Sequence, residues 1–264
     1  MMTQGKCDRI ERRLTGVIIL HGFTANLDSV RELFGPLGRL DIKLVTPLLR
    51  GHGALSPDQL RGVTWRDWLD DAARALKSTA GADGKAVVIG HSMGALLALH
   101  LAAHYPGLVD SVILATPPLK LVSLLAPGRP LNFLAPLVSM LVDRWEMGTR
   151  FADPDNAVIP DQYEWAPTMA IMSLFDLVQA TPPILDRVNV PVLILHGRNE
   201  SIVLPESADM VMRGISTRPE DKAVVWLEKT DHQIFCDCER EAAVSASVGF
   251  IVSRIVASAQ AELA

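Results

Sequence analysis

The feature that most constrains the fold is the stretch 86–99, in which a short run of β-branched residues passes directly into a helical pattern. Ser92 stands at the junction, with Gly90 two residues before it and Gly94 two residues after it. This G-x-S-x-G sequence in a strand–turn–helix context is typical of a serine nucleophile on a sharp turn. A side chain at either glycine is expected to collide with the neighbouring strand or helix. The pattern predicts a hydroxyl at the carboxyl end of a parallel sheet, beside a helix N-terminus.

The composition suits a single α/β domain. With 264 residues, of which 49% are hydrophobic and 21% charged, the chain is long enough to bury one substantial core. A net charge of −5 without a basic cluster argues against nucleic acid as a partner. We expect no transmembrane segment, and the polar N-terminus lacks the apolar core of a signal peptide. These features predict a soluble, cytoplasmic protein.

The three cysteines fit a reducing compartment because their number is odd. Cys236 and Cys238 form a C-x-C pair close to His232, which raises the question of a metal site. Two thiols and one histidine do not reproduce a zinc-ligand pattern. We therefore expect these two cysteines and Cys7 to be reduced and without a catalytic role, and we expect no metal or other cofactor.

Short β-branched runs alternate with helical patterns along the chain. Most of the runs are continuously apolar, as expected of parallel strands that are buried on both faces. The alternation predicts an α/β fold with a mostly parallel, doubly wound sheet. The predicted strands are 17–20, 43–46, 86–89, 111–115, 192–195 and 223–227.

Three amphipathic helices accompany these strands. Apolar residues at helical spacing predict one helix over 30–40, a second over 65–76 and a third over 244–255. Thr64 is placed to cap the second helix, with Asp67 three residues further on.

The region 117–167 interrupts the alternation. Prolines at positions 127, 130, 136, 154 and 160 cut it into short pieces, some of them strongly apolar. It follows the strand 111–115 on the side of the sheet where ligands bind. We predict a small cap inserted into one domain that spans 1–264, and we expect some of its apolar side chains to line the substrate pocket.

Ser92 requires a positioned base, because a serine hydroxyl alone is a weak nucleophile. In nucleophile-elbow proteins the order along the chain is serine, acid and histidine. His232 fits this order, since it follows the strand 223–227 and precedes the last helix. The other histidines are expected to serve as loop, packing or surface residues. They are His21, His52, His91, His100, His104 and His196.

The acid is expected in the loop after the strand 192–195, where Glu200 is the central carboxylate. Its role would be to accept the Nδ1 proton of His232 and to stabilise the imidazolium. A solvated loop glutamate is the alternative interpretation. Glu206 is a nearby candidate that is expected on the following helix, and Asp231 is poorly placed to face Nδ1.

When a serine attacks a carbonyl group, the tetrahedral intermediate carries an oxyanion, which requires two preorganised hydrogen-bond donors. The backbone N–H of Met93, directly after the serine, is expected to supply one. The N–H of Phe23, in the loop after the strand 17–20, is expected to supply the other.

The chain resembles α/β-hydrolases of the bacterial carboxylesterase and monoacylglycerol lipase type from about residue 17 onward. The resemblance implies that Ser92 is the nucleophile and His232 the base, with Phe23 and Met93 forming the oxyanion hole. The family normally has aspartate at the position of Glu200, and often glycine or tyrosine at the position of Asp231. The motifs that carry the resemblance are His21-Gly22-Phe23-Thr24, Arg50-Gly51-His52-Gly53, Trp65-Arg66-Asp67-Trp68, the elbow 90–94, Leu185-Asp186-Arg187-Val188 before Val190-Pro191-Val192, and Gly214-Ile215-Ser216-Thr217.

The resemblance implies hydrolysis of carboxylic esters through an acyl-enzyme, with a short- to medium-chain acyl ester or monoacylglycerol as substrate. We expect kcat/KM to rise with pH through roughly 6–7, because His232 must be neutral to act as the base. The alternatives are a lactonase, an amidase or a C–C bond hydrolase on the same triad. A non-catalytic binding protein and an enzyme that acts at a lipid surface through its cap are further alternatives.

Overall fold

The computed structural model describes residues 13–148 and 150–261. The polar N-terminus with Cys7 lies outside the described residues. Six of the described strands form one sheet and two form a hairpin. The strands are β1 (Arg13–Leu20), β2 (Lys43–Val45), β3 (Gly84–His91), β4 (Val109–Ala115), β5 (Arg144–Glu146), β6 (Trp165–Pro167), β7 (Val192–Gly197) and β8 (Lys222–Leu227).

The large sheet has the strand order β2-β1-β3-β4-β7-β8, and every neighbouring pair in it is parallel. All six predicted strands lie in this sheet, which confirms the predicted fold class. The edge strand β2 is shorter by one residue than predicted, and most of the others begin earlier. Because all the strands are parallel, the loops after β1, β3, β7 and β8 emerge at the same edge of the sheet.

The sheet is buried on both faces, and this explains the continuous apolar runs in its strands. Along β1, Ile18 and Leu20 belong to one core cluster, whereas Val17 and Ile19 belong to the other. The helices are α1 (Phe34–Leu37), α2 (Trp65–Ala80), α3 (Met93–His104), α4 (Ala135–Leu141), α5 (Thr168–Ala180), α6 (Glu206–Gly214) and α7 (Arg240–Ala261). The first cluster packs the sheet against α2, α3 and α6, and the second packs it against α1 and α7.

Of the three predicted helices, α2 and α7 are confirmed, and α2 begins directly after Thr64 as expected. The Asp67 carboxylate accepts hydrogen bonds from the backbone N–H and the hydroxyl of Thr64, at 2.9 and 2.8 Å. The prediction of one regular helix over 30–40 is wrong. The chain there forms a 3₁₀ helix over Leu27–Leu33 and a single α-helical turn. Pro36 has no N–H to donate, so a continuous α-helical ladder cannot pass through it.

From the sequence we expect no segment that is long and apolar enough to cross a membrane. Judged by length and composition alone, this expectation is wrong. The stretch Arg240–Gln260 of α7 satisfies both criteria. Its many alanine and serine residues are interspersed with valine and isoleucine, so the apolar character emerges only over a long window. In the fold, Ala243, Ser247 and Ile251 of this helix are buried, and the helix packs on strands of the large sheet.

The region 117–167 lies between β4 and β7, together with α5. It contains a 3₁₀ turn over Asn132–Leu134, α4 and the antiparallel β5–β6 hairpin. Two isolated bridges fasten it to the loops at the carboxyl edge of the sheet, pairing Leu121 with Val203 and Gln162 with Ala25.

Candidate active site

The turn between β3 and α3 holds Ser92 in a conformation that non-glycine residues rarely adopt, with φ 52° and ψ −117°. A Cβ atom at Gly90 would stand 2.2 Å from the carbonyl oxygen of Gly94. A Cβ atom at Gly94 would stand 2.2 Å from the carbonyl oxygen of Leu20. Both glycines are therefore required by close backbone approach, as the sequence predicts. The backbone N–H of Ser92 donates to the carbonyl of Ala115 at 2.9 Å, which joins the turn to β4.

Three side chains from three different loops meet at this turn. Ser92 Oγ lies 3.0 Å from Nε2 of His232. Nδ1 of His232 lies 2.9 Å from Oε2 and 3.1 Å from Oε1 of Glu200. The structure thus brings the predicted nucleophile, base and acid into one hydrogen-bonded chain, in the arrangement by which a carboxylate orients an imidazole toward a hydroxyl.

The Glu200 side chain is buried, and both of its carboxylate oxygens accept hydrogen bonds. Its Oε1 accepts the backbone N–H groups of Ile202 and Val203 at 2.9 and 3.2 Å. Burial by itself raises the pKa of a carboxyl group, but the His232 charge and these hydrogen bonds outweigh it and lower the pKa of Glu200. Glu206, the alternative acid, lies on α6 with its side chain 53% exposed and pairs with Lys120.

The imidazole of His232 is buried, which by itself lowers its pKa. The Glu200 charge, the hydrogen bond to Glu200 and the charge of Asp231 together outweigh burial, so the pKa of His232 lies above its ordinary value of 6.5. The same carboxylate that orients the ring therefore also makes it more basic.

The two predicted oxyanion donors lie beside Ser92. Met93 is the first residue of α3, where backbone N–H groups have no intrahelical acceptor. Phe23 lies in the turn after β1, next to Thr24, whose φ is 61°. We therefore expect both N–H groups to be available to an oxygen atom bound at Ser92.

Two neighbouring cavities, which share several lining residues, lie at this site. The smaller, about 90 Å³, is lined by Ser92 and His232. The larger, about 460 Å³, extends under the region 117–167 and α5. The residues that line both include Phe23, Leu121, Met147, Leu174 and Ile202. An apolar space therefore lies beside the cavity at the serine, and Leu121 and Met147 of the insertion contribute to its wall.

A model of one hydrolase family, described as serine aminopeptidase S33, matches residues 13–239. The chain belongs to this α/β-hydrolase family. The match spans the complete large sheet and all three members of the hydrogen-bonded chain. It confirms the fold and the family that the sequence motifs indicated.

Relatives of this α/β-hydrolase include a thermostable monoacylglycerol lipase from Bacillus sp. (strain H-257), which is 27% identical over 89% of each chain. A carboxylesterase from Bacillus subtilis is 24% identical over 85% of this chain and 87% of the relative. A solved structure of the metagenome-derived lipolytic enzymes LipS and LipT superimposes with a TM-score of 0.82 at 25% identity, covering 92% of this chain and 95% of the other. The three matches cover between 85% and 92% of this chain.

Two histidines that sequence reasoning placed outside the catalytic group support it. His91 Nε2 bonds the backbone carbonyl of His232 at 2.9 Å, and burial lowers the pKa of His91 to about 3. His21 Nδ1 bonds the carbonyl of Gly22 at 2.9 Å, and its Nε2 accepts the N–H of Leu49 at 3.1 Å. Burial lowers the pKa of His21 to about 4. Both rings are therefore neutral at pH 7 and hold the loops that carry His232 and Phe23.

The C-x-C pair, Cys236 and Cys238, follows His232 closely along the chain of this α/β-hydrolase. Cys236 is buried, its thiol lies 3.4 Å from the carbonyl of Ser29, and burial raises its pKa to about 12. Cys238 is partly exposed. Within the described ranges, no cluster of three or more histidine, cysteine, aspartate or glutamate residues is arranged to hold a metal ion.

Two aspartates beside His232 have contacts that the sequence did not predict. Asp231 does not face Nδ1, as expected, but its Oδ1 accepts the backbone N–H groups of Ser201 and His232. Asp237 is completely buried and accepts backbone N–H groups from two separate segments. The only sequence signal for either was the departure from the family pattern at Asp231.

Proposed function

We propose that this ester hydrolase cleaves its substrate through an acyl-enzyme on Ser92, with His232 as the base and Glu200 as the acid of the triad. The observation that carries the proposal is the hydrogen-bonded chain from Ser92 Oγ to His232 Nε2, 3.0 Å, and from His232 Nδ1 to Glu200 Oε2, 2.9 Å. Its geometry meets the requirement that nucleophile, base and orienting group lie within hydrogen-bond reach.

The reaction proceeds in two halves. Ser92 Oγ attacks the ester carbonyl while His232 Nε2 takes its proton, and the oxyanion accepts the N–H groups of Phe23 and Met93. His232 then gives the proton to the leaving alcohol, and the acyl group remains on Ser92. A water molecule, deprotonated by His232, then attacks the acyl-enzyme. The bond between the acyl carbon and Ser92 Oγ breaks, His232 returns the proton to Oγ, and the carboxylic acid is released. Glu200 stabilises the imidazolium in both halves.

The proposed substrates are short- to medium-chain acyl esters or monoacylglycerols. The apolar cavity of about 460 Å³ that lies beside the cavity at the serine supports this class, because an acyl chain is the apolar part of such a substrate. The names of relatives, among them a monoacylglycerol lipase and a carboxylesterase, agree with it. The triad by itself does not discriminate esters from lactones, amides or activated C–C bonds.

We further propose that residues 117–167 act as a cap within a single domain of residues 1–264. Leu121, Val138 and Trp145 of this insertion line the apolar cavity. The bridges from Leu121 to Val203 and from Gln162 to Ala25 hold its two sides against the site. Its contribution would be to bind the acyl chain and exclude water.

The test is hydrolysis of p-nitrophenyl esters of increasing acyl length by the wild type and by Ser92→Ala, with fluorophosphonate labelling of both. We expect turnover and labelling by the wild type and loss of both in the variant, by roughly 10⁴-fold or more in rate. Matched amides, lactones and β-diketones assign the bond class. An unlabelled wild type with no turnover would favour a binding protein, and an active Ser92→Ala would refute the triad.

A further inference from the structure

Asp237 is a fully buried carboxylate that lies between His232 and α7 and is not part of the triad. An ionised side chain in such a place is costly unless every oxygen is hydrogen-bonded. Here four backbone N–H groups point at the two oxygens, and burial is outweighed, so that the pKa of Asp237 is lowered. The donors are Ala152, Asp153, Asp231 and Cys238.

These donors belong to two regions that are far apart in the sequence. Ala152 and Asp153 lie in the insertion, at 2.8 and 3.3 Å from the carboxylate. Asp231 directly precedes the histidine, and its N–H lies 2.9 Å from Oδ2 of Asp237. The same oxygen thus accepts from Ala152 and from Asp231, so a single atom fixes the distance between the insertion and the histidine loop.

The connection continues from Asp231 to the triad. Oδ1 of Asp231 accepts the N–H of His232 at 2.7 Å and the N–H of Ser201 at 2.8 Å. Ser201 directly follows Glu200. Asp231 therefore ties the loop of the base to the loop of the acid, and Asp237 holds the backbone of Asp231 from the other side.

The insertion side of the connection reaches the pocket wall. Gly148 and Arg150, which shortly precede Ala152, line the cavity at Ser92. Two further hydrogen bonds hold residues 150–158 of the insertion, the 150–158 strip. The N–H of Val158 donates to the carbonyl of Cys236 at 2.7 Å, and the Arg240 side chain donates to the carbonyl of Asn156. Asp237 is the buried member of this set of contacts, where water cannot replace a lost hydrogen bond.

We propose that Asp237 is a positioning residue that holds the loop carrying His232 in place against the insertion. By doing so, it sets both the contact between His232 and Glu200 and the position of the pocket wall beside Ser92. The inference rests on the proposed function, because it assigns His232 as the base. A carboxylate is suited to this role because it offers acceptors on both oxygens and no donor that would repel the four N–H groups. An amide at the same position offers one oxygen and turns an NH₂ group toward two of them.

The test compares Asp237→Asn with Asp110→Asn. Asp110 is a matched control because its carboxylate is also largely buried, pairs with Arg254 on α7 and lies outside the site. For both variants we would measure Tm, the rate of fluorophosphonate labelling, and kcat and KM for a short and a long p-nitrophenyl ester across pH. Wild type and Ser92→Ala are run alongside, so that a failure of the proposed function is seen independently.

In Asp237→Asn we expect labelling and kcat/KM for the short ester to fall about tenfold, with a downward shift of the pH midpoint. The shift follows because His232 stays buried but loses part of its contact with Glu200, while Asp231 and the neutral His91 are its other neighbours. The ratio of kcat/KM between the long and the short ester should also change, because the pocket wall moves. Asp110→Asn should lower Tm and leave the midpoint and the ratio unchanged.

The proposal is overturned if Asp237→Asn, like the control, lowers Tm but keeps the wild-type pH midpoint, labelling rate and ratio of kcat/KM between the long and the short ester. If Asp237→Asn does not fold, Arg240→Ala is used instead, because it removes the hydrogen bond between the Arg240 side chain and Asn156 of the 150–158 strip. It should raise KM for the long ester at least twofold with kcat for the short ester retained. An unchanged KM in that variant would equally overturn the coupling between strip and pocket.

Discussion

The two sides of the pocket are built in opposite ways. On the sheet side, Glu200 and His232 are 8% and 6% exposed, and each is held by several hydrogen bonds. On the insertion side, Val122 and Trp145, which line the larger cavity, are 39% and 41% exposed. Buried polar groups permit one arrangement, because each lost partner is costly, whereas exposed apolar side chains are little constrained by their own fold. We therefore expect the sheet side to determine the chemistry and the insertion to determine selectivity.

The largest effect should come from Glu200→Gln, which tests whether the sheet side sets the chemistry. The amide does not stabilise the imidazolium and favours the wrong tautomer, so we expect kcat to fall about 10⁴-fold. Steady-state kinetics measure it. Glu206→Gln, with its exposed side chain on α6, is the control and should retain activity. Comparable losses in both variants would remove Glu200 from its role.

The same variant, Glu200→Gln, tests which group sets the pH dependence of the reaction. In the wild type, kcat/KM should rise as pH increases through the pKa of His232, since only the neutral ring accepts a proton. Because Glu200 raises that pKa, the midpoint is expected above 6.5. Without the charge, burial is less opposed, so the residual activity of Glu200→Gln should show a lower midpoint. Equal midpoints in the two proteins would show that Glu200 does not set this pKa.

The next effect should be on stability at the elbow. Gly94→Ala places a Cβ 2.2 Å from the Leu20 carbonyl oxygen, and we expect a loss of about 1–3 kcal/mol or more in the free energy of unfolding. Gly249→Ala is the matched control, because Gly249 lies within α7 with nothing within 4 Å of the added carbon. It should stabilise by about 0.5–1 kcal/mol. Urea denaturation measures both, and a stable Gly94→Ala would contradict the tight elbow.

A smaller effect is expected where the insertion lines the cavity. Val138→Trp fills part of the apolar space on α4, so kcat/KM for the longest esters should fall about tenfold, or 1.4 kcal/mol, with the acetate unaffected. Met140→Trp, on the exposed side of the same helix, should leave the length profile unchanged. A series of p-nitrophenyl esters reveals the difference. An unchanged profile in Val138→Trp would place the acyl chain elsewhere.

The smallest effect should be on the outer surface of the insertion. Met140→Ser and Leu141→Ser, at 82% and 77% exposure, should change the free energy of unfolding by less than about 0.5 kcal/mol. Leu97→Ala, at a fully buried position of α3, provides the contrast, with an expected loss of about 2–5 kcal/mol. Chemical denaturation of the three variants tests this. A large loss at Met140 would show that this surface is packed in solution.

Most of the large sheet was predictable because burial on both faces leaves a direct signature, an uninterrupted apolar run. The elbow was predictable because the sharp turn at Ser92 requires glycine at positions 90 and 94. A Cβ atom at Gly90 would meet Gly94 within the turn, and a Cβ atom at Gly94 would meet Leu20 of β1. The segment 30–40 shows the limit of periodicity, since Pro36 interrupts a pattern that otherwise fits a helix. For α7 the dilution of valine and isoleucine by alanine and serine concealed a long apolar stretch.

Residue type and position relative to the strands were enough to predict the order of the site residues along the chain: a serine on an elbow, a carboxylate after the fifth strand of the large sheet and a histidine after the sixth. These are local signals, carried by residue type and by position relative to strands. How Asp231, Asp237 and His91 hold the loop of His232 was not predictable, because this depends on backbone groups of distant segments. Asp231 accepts from Ser201, Asp237 accepts from Ala152, and His91 bonds the carbonyl of His232. Such contacts depend on where loops meet in space, and backbone acceptors and donors leave no mark in the amino-acid sequence.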